Sequence, residues 1–252
     1  FGSSPSPFWL KPSGPEPFSR MLECCASPPP PSPRLDSSSL DMSGGPGQIE
    51  LTYFAGFKGR GEPARIALHA SGKPWTDKTL NFEEFGKAKA NGEYPMGLPV
   101  MALPSGKVVT QSVAMARYAG KLGSSGLYPA DPEVALVVDV VMDICQDALT
   151  KCPQDPDEAV KKAKREEYAA GKLKGYMDAL SKMIDDSGGP FFTGKDLTVG
   201  DLVFKYFLMD MITSGMFDHV PPEYVKSWEK LVSADEAIAK HKVVIDYEAS
   251  KA

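Results

Sequence analysis

Cysteine and histidine are scarce in this 252-residue chain, with four of the first and three of the second. No two cysteines stand in a CxxC or zinc-ligand spacing. Cys24 and Cys25 are adjacent, and Cys145 and Cys152 lie seven apart. The thiols are therefore expected to be free, in a reducing compartment such as the cytoplasm. His69, His219 and His241 are too scattered to make a metal site. Long apolar runs are missing as well. The longest candidate, around Val134–Met142, is broken by Asp139 and falls short of the roughly 18–20 residues of a membrane span. Basic charge is not in excess. The formal net charge of −5 points away from nucleic acid and anionic membrane as partners. Apolar residues at 42% and charged residues at 24% are the make-up of a soluble globular protein.

Residues 1–47 stand apart. They hold nearly half of the chain's 23 prolines, including Pro28–Pro31 in a row, and Ser and Gly fill nearly half of the remainder. Such a segment cannot bury enough apolar surface to offset the entropy of ordering, so disorder is expected. Met42, in Met42-Ser43-Gly44-Gly45, is expected to be the start of the protein proper. A targeting role for residues 1–41 is the rival reading.

From Gln48 to about Gly120 strand and helix alternate. Ile49, Leu51 and Tyr53 sit at period two and predict a strand. Glu62-Pro63 opens a helix through Ala64–Ser71, closed by Gly72. Trp75–Leu80 predicts a second strand, and 81–92 a short helix plus loop. Leu98–Leu103 and Lys107–Thr110 flank Pro104-Ser105-Gly106, a hairpin signature. Ser112 is then the expected cap of a helix over Val113–Ala119. The order is a small α/β domain over 48–123, with one parallel crossover and one hairpin. Beyond Pro129 the spacing is helical. Helices are expected over Pro132–Lys151, Ala159–Asp186, Leu202–Met211, Glu223–Val232 and Asp235–Glu248, with Thr198 and Asp201 as a capping box. The second domain, 131–252, is therefore all-α.

Particular residues narrow this further. The run Leu51-Thr52-Tyr53-Phe54, then Gly59-Arg60-Gly61-Glu62-Pro63-Ala64-Arg65, resembles the opening of sigma-like, tyrosine-type cytosolic glutathione S-transferases. Leu98-Pro99-Val100, Thr110-Gln111-Ser112-Val113-Ala114-Met115-Ala116-Arg117-Tyr118 and the Thr198–Asp201 cap after Phe191-Phe192-Thr193-Gly194 follow in the same order and spacing. The resemblance covers about 48–250. It implies a thioredoxin-like N-terminal domain, glutathione as co-substrate without a metal, and a cytoplasmic homodimer acting in detoxification.

The chemistry needs a thiolate. A free thiol with a pKa near 8.5 is only a few per cent ionised at neutral pH. A hydroxyl donating to the charged form lowers that value. A drop of about two units needs about 2.7 kcal/mol of preference, most of which one charge-assisted hydrogen bond can supply. Tyr53 falls at the end of the first strand, where open α/β sheets hold ligands. Taken alone it reads as a core tyrosine; the resemblance implies that it is the donor. Arg60, in the following loop, is implied to favour the thiolate, although the interval from Tyr53 is one residue longer than in the family.

The resemblance also implies the glutathione contacts. Leu98-Pro99 is expected to be cis, with the Leu98 backbone meeting the cysteinyl backbone of glutathione. Gln111 and Ser112, at a helix N-terminus that favours a carboxylate, are expected at the γ-glutamyl group. Phe85 stands where the family has Trp. Lys89, with Lys87 as substitute, is expected at the glycine carboxylate. Asp147 is expected to reach the amino group across a dimer interface, while its neighbour Gln146 replaces an acidic residue. A hydrophobic electrophile would lie against Phe54, Phe57, Ile144, Leu149 and the last helix. Conjugation, glutathione-dependent isomerisation or peroxidase activity, and a non-catalytic carrier or structural role all remain open. Disulfide chemistry of the glutaredoxin kind is not expected, because residues 53–65 contain no Cys.

Overall fold

The computed structural model describes residues 47–251. The disorder and targeting expectations for the N-terminal segment, and Cys24 and Cys25 with them, lie outside the described residues, apart from Gly47.

Four strands form one mixed sheet in the order β2-β1-β3-β4. β1 (Ile49–Phe54) is central and buried on both faces up to Tyr53, so its polar alternates Glu50 and Thr52 are buried as well as its apolar ones. It runs parallel to β2 (Trp75–Leu80), with Tyr53 opposite Thr79, and antiparallel to β3 (Val100–Ala102), with Thr52 opposite Val100. β3 returns to β4 (Val108–Val109) through the expected hairpin, where Gly106 takes φ 79. α1 (Glu62–Ala70), with Pro63 in its first turn, makes the parallel crossover; its first seven residues are buried. α2 (Phe82–Ala90) begins at a capping box in which Asn81 and Glu84 exchange hydrogen bonds of 2.9 and 2.8 Å.

α3 (Ser112–Gly120) corrects one expectation. Ser112 is the first helical residue, not the cap. The cap is Gln111, at φ 79 and ψ 96, and no side chain bonds to the free N–H groups there. Positive φ is uncommon outside glycine; here it turns the chain from the sheet into the helix.

The remaining described elements are helical. α4 (Pro132–Thr150) starts at Asp131, whose carboxylate accepts from Glu133 N and Val134 N at 3.0 Å. The helix expected over 159–186 is three pieces: α5 (Glu158–Tyr168), a π-helical turn at Ala169–Leu173, and α6 (Lys174–Ser187), which ends on Gly188 in the left-handed region. The apolar helix after Thr198 is likewise α7 (Val199–Val203), a π-helical turn at Phe204–Met209 and α8 (Asp210–Thr213). The last two helices meet elsewhere than expected. A 3-10 turn (Pro222–Ser227) precedes α9 (Glu229–Ala239), and the break falls at Lys240-His241 before α10 (Lys242–Ala249). Leu231, Ala234 and Ile238 are buried at helical spacing and carry α9 through Ser233–Asp235. His241 Nδ1 then accepts from Val243 N at 3.3 Å and starts α10.

Candidate functional site

Tyr53 ends the buried part of β1 and is only 6% exposed. Its surroundings come from the segment that follows. Ala55 and Gly56 turn the chain, and Gly59–Gly61 forms a 3-10 turn that aims the Arg60 N–H at Tyr53 Oη, 3.2 Å away. The hydroxyl accepts that bond, so its own proton is left to donate. Gly61 is pressed against the ring: a Cβ there would lie 2.4 Å from Tyr53 Cδ1. The Arg65 guanidinium stands 5.3 Å from the ring centre. It is held by Glu62 at 3.2 Å, Asp77 at 3.0 Å and the Phe57 carbonyl at 2.8 Å.

The electrostatics set the protonation state. Burial raises the Tyr53 phenol above its ordinary value of 10, against the Arg60 N–H and the charges of Arg60 and Arg65, which lower it. At neutral pH the group is therefore a protonated donor and not a base. The Arg60 side chain donates from Nη1 to Gln146 Oε1 on α4 at 2.8 Å, and its guanidinium stands 5.4 Å from the Phe207 ring centre. Burial lowers the Arg60 pKa from the ordinary guanidinium value, yet an arginine stays charged in proteins.

The other sequence-derived residues are distributed as follows. The Leu98-Pro99 bond is cis and Gly97 takes φ 76. Leu98 and Pro99 directly precede Val100, which pairs with Thr52, and so lie at the Tyr53 end of β1. Phe85 is half-buried and joins Tyr53 through Phe54, whose ring lies 5.1 Å from Phe85 and 5.4 Å from Tyr53. Gln111 is exposed and Ser112 buried at the start of α3, and neither side chain has a hydrogen-bond partner among the described residues. Lys89 is exposed in the last turn of α2, while Lys87 pairs with Glu83 at 2.6 Å. Asp147 pairs with Lys151 of its own helix at 2.5 Å. Phe57 is 38% exposed, and Ile144 and Leu149 are half-buried against the core. Tyr53, Arg60, Phe85, Leu98 and Pro99 are thus gathered at one end of the sheet. Among the described residues no hydrogen bond or ion pair links the side chains of Lys89, Gln111, Ser112 or Asp147 to that group.

Three participants escaped the sequence reading. Gly61 is legible only from the contact with Tyr53. Phe207 lay in an apolar helix with nothing to mark the π-helical turn that presents it to Arg60. Gln146 carried a signal, as an uncharged residue where relatives are acidic, but its partner was not readable. Among the described residues no three His, Cys, Asp or Glu side chains converge where a metal could sit. No described helix is long and apolar enough to cross a membrane.

Residues 142–251 match the family model for the glutathione S-transferase C-terminal domain. A glutathione S-transferase of Anopheles gambiae is 32% identical over 161 residues, covering 62% of this chain and 76% of that protein. The chain belongs to the glutathione S-transferase family. Glutathione S-transferase 3 of Caenorhabditis elegans is 28% identical to this transferase over 193 residues, 73% of this chain and 90% of that one. The solved structure of prostaglandin synthase D from Nilaparvata lugens is 25% identical and covers 81% of this chain and 98% of its own, with a TM-score of 0.67. The fold of this transferase is accordingly a thioredoxin-like α/β part followed by an all-α part, and the chain is an enzyme of the glutathione transferase family.

Proposed function

We propose that this transferase is a tyrosine-type, sigma-like enzyme in which the Tyr53 hydroxyl donates a hydrogen bond to the glutathione sulfur and so holds it as a thiolate, the thiol proton passing to solvent. The thiolate attacks an electrophilic carbon of a small hydrophobic compound. One observation carries the reading: Tyr53 Oη accepts the Arg60 N–H at 3.2 Å and keeps its own proton, beside a charged guanidinium. A donor and a cation at one point are what a developing thiolate needs.

In this reading the Leu98 backbone, next to the cis Pro99, pairs with the cysteinyl part of glutathione. Gln111 and Ser112 take the γ-glutamyl carboxylate at the N-terminus of α3, a role favoured by their unspent side chains. Phe85 and Lys89 flank the glycine end, and Phe54 and Phe57 offer rings to the electrophile. Asp147 reaches the glutathione of a second copy in a cytoplasmic homodimer. In favour of that dimer, α4 exposes the apolar side chains of Val134, Leu136 and Val140; size-exclusion chromatography with light scattering measures it. A second reading, glutathione-dependent isomerisation by the same thiolate, is favoured by the similarity to the prostaglandin synthase D of Nilaparvata lugens.

Retention on immobilised glutathione and turnover of an aryl halide test the enzyme. Tyr53→Phe tests the mechanism. Removing the donor should raise the bound thiol by about two pH units and lower kcat/KM near pH 6.5 by about a hundredfold, with retention on the resin kept. Unchanged turnover near neutral pH would remove Tyr53 from this role.

A further inference from the structure

Arg60 has no counter-charge. Among the described residues no carboxylate lies within 4.0 Å of its guanidinium. The carboxylates of Glu62, Glu248 and Asp147 are held by other cations. Glu62 takes Arg65 at 3.2 Å and Lys251 at 2.7 Å, Glu248 takes Lys58 at 2.7 Å, and Asp147 takes Lys151 at 2.5 Å. Among the described residues the one side chain that hydrogen-bonds the Arg60 guanidinium is an amide, Gln146, through Oε1 at 2.8 Å. Arginine has donors only, so the amide oxygen and not its NH2 must face it. The Phe207 ring at 5.4 Å steadies the same guanidinium through its π face, again without charge. A glutamate in place of Gln146 would bind the fork more strongly and cancel its charge.

We propose that Gln146 is a positioning residue that fixes Arg60 beside Tyr53 without neutralising it, so that the full guanidinium charge acts on the thiolate. This rests on the reading that glutathione ionises at Tyr53. In this chain the neutrality of position 146, and not the hydrogen bond alone, sets how much of the Arg60 charge reaches the sulfur.

Two variants separate charge from packing. Gln146→Glu keeps size and acceptor but adds a compensating charge. Gln146→Met keeps volume, loses the acceptor and adds no charge. The readout is the pH midpoint of the thiolate's ultraviolet absorbance in the enzyme–glutathione complex, beside the pH profile of kcat/KM for an aryl halide. Thermal unfolding confirms that each variant folds. A neutralised cation within a few ångströms of an anion moves its pKa by about one unit or more. Gln146→Glu should therefore raise the midpoint by about one unit and lower kcat/KM about tenfold at pH 6.5, with wild-type rates restored at high pH. Gln146→Met should move the midpoint by less than half as much. A midpoint unmoved in Gln146→Glu, with the wild-type thiol clearly below that of free glutathione, would overturn this inference and leave Tyr53 in place. So would a larger shift in Gln146→Met than in Gln146→Glu. A wild-type chain that binds no glutathione, or binds it without lowering its thiol, would overturn both.

Discussion

The Tyr53 hydroxyl keeps its proton because burial outweighs the two arginines near it. Its direction is a separate matter, fixed by the ring. Arg65 bounds one side of that ring and Gly61 another, with no room between Gly61 and Cδ1 for a methyl group. In Gly61→Val the ring must swing and its hydroxyl must leave the Arg60 N–H. We expect a fall in kcat/KM of at least tenfold. Overpacking should destabilise the fold by about 1–3 kcal/mol. Steady-state kinetics and urea unfolding measure the two. Wild-type kinetics in this variant would mean that the ring position is not what the hydroxyl depends on. Residues of this kind explain what the sequence could yield about the site. Tyr53 and Arg60 stand in a run whose order and spacing are visible in the chain. Gly61, Gln146 and Phe207 act through distances between elements far apart in sequence, and one-dimensional spacing does not encode them.

At the scale of elements, the capping box at the start of α7 is a buried polar construction. Asp201 is fully buried, and its carboxylate accepts from Phe192 N at 2.9 Å, Thr198 N at 2.8 Å and Thr198 Oγ1 at 2.7 Å. Those donors favour the charged form, yet burial prevails and pushes the carboxyl from 3.8 up to about 6. The folded chain thus holds this proton more tightly than the unfolded chain. The stabilisation it brings is fully present below about pH 4 and is lost as pH rises through about 6. The stability of the wild type minus that of Asp201→Asn should fall between pH 4 and pH 7 by on the order of 3 kcal/mol. Urea midpoints at the two pH values check it, and a difference that rises with pH would contradict the burial argument. This box was legible beforehand, because Thr198 and Asp201 stand three apart before an apolar run. The strands were legible for a similar local reason, with β2 at its expected limits. The π-helical turns at Ala169–Leu173 and Phe204–Met209 were not. A π turn leaves the apolar pattern intact while shifting which residues share a face, so 159–186 reads as one helix.

Across the whole molecule, the last helix returns to the first. α10 lies on α1, with Val244 and Tyr247 buried and the Tyr247 ring edge-on to His69 at 5.6 Å. Two ion pairs tie the same surfaces: Lys58 with Glu248 at 2.7 Å, and Lys251 with Glu62 at 2.7 Å. These pairs are unequal. Lys58 and Glu248 are both substantially exposed, and such a pair contributes at most about 1 kcal/mol. Glu62 is wholly buried and shares its carboxylate between Arg65 and Lys251, so it belongs to the scaffold behind Tyr53. Removing residues 242–252 would take away two buried side chains, Val244 and Tyr247, each worth about 1.5–3 kcal/mol of burial. It would also leave Glu62 with Arg65 alone. A loss of about 4 kcal/mol in a folded part of this size corresponds to roughly 10 °C in Tm. Lys58→Ala should move Tm by no more than about 3 °C. Glutathione should recover part of the loss in the shortened chain, because a ligand bound only by the folded state stabilises it by mass action. Scanning calorimetry with and without glutathione measures all three. A shortened chain with wild-type Tm would show that α1 and the Tyr53 loop hold their places without α10.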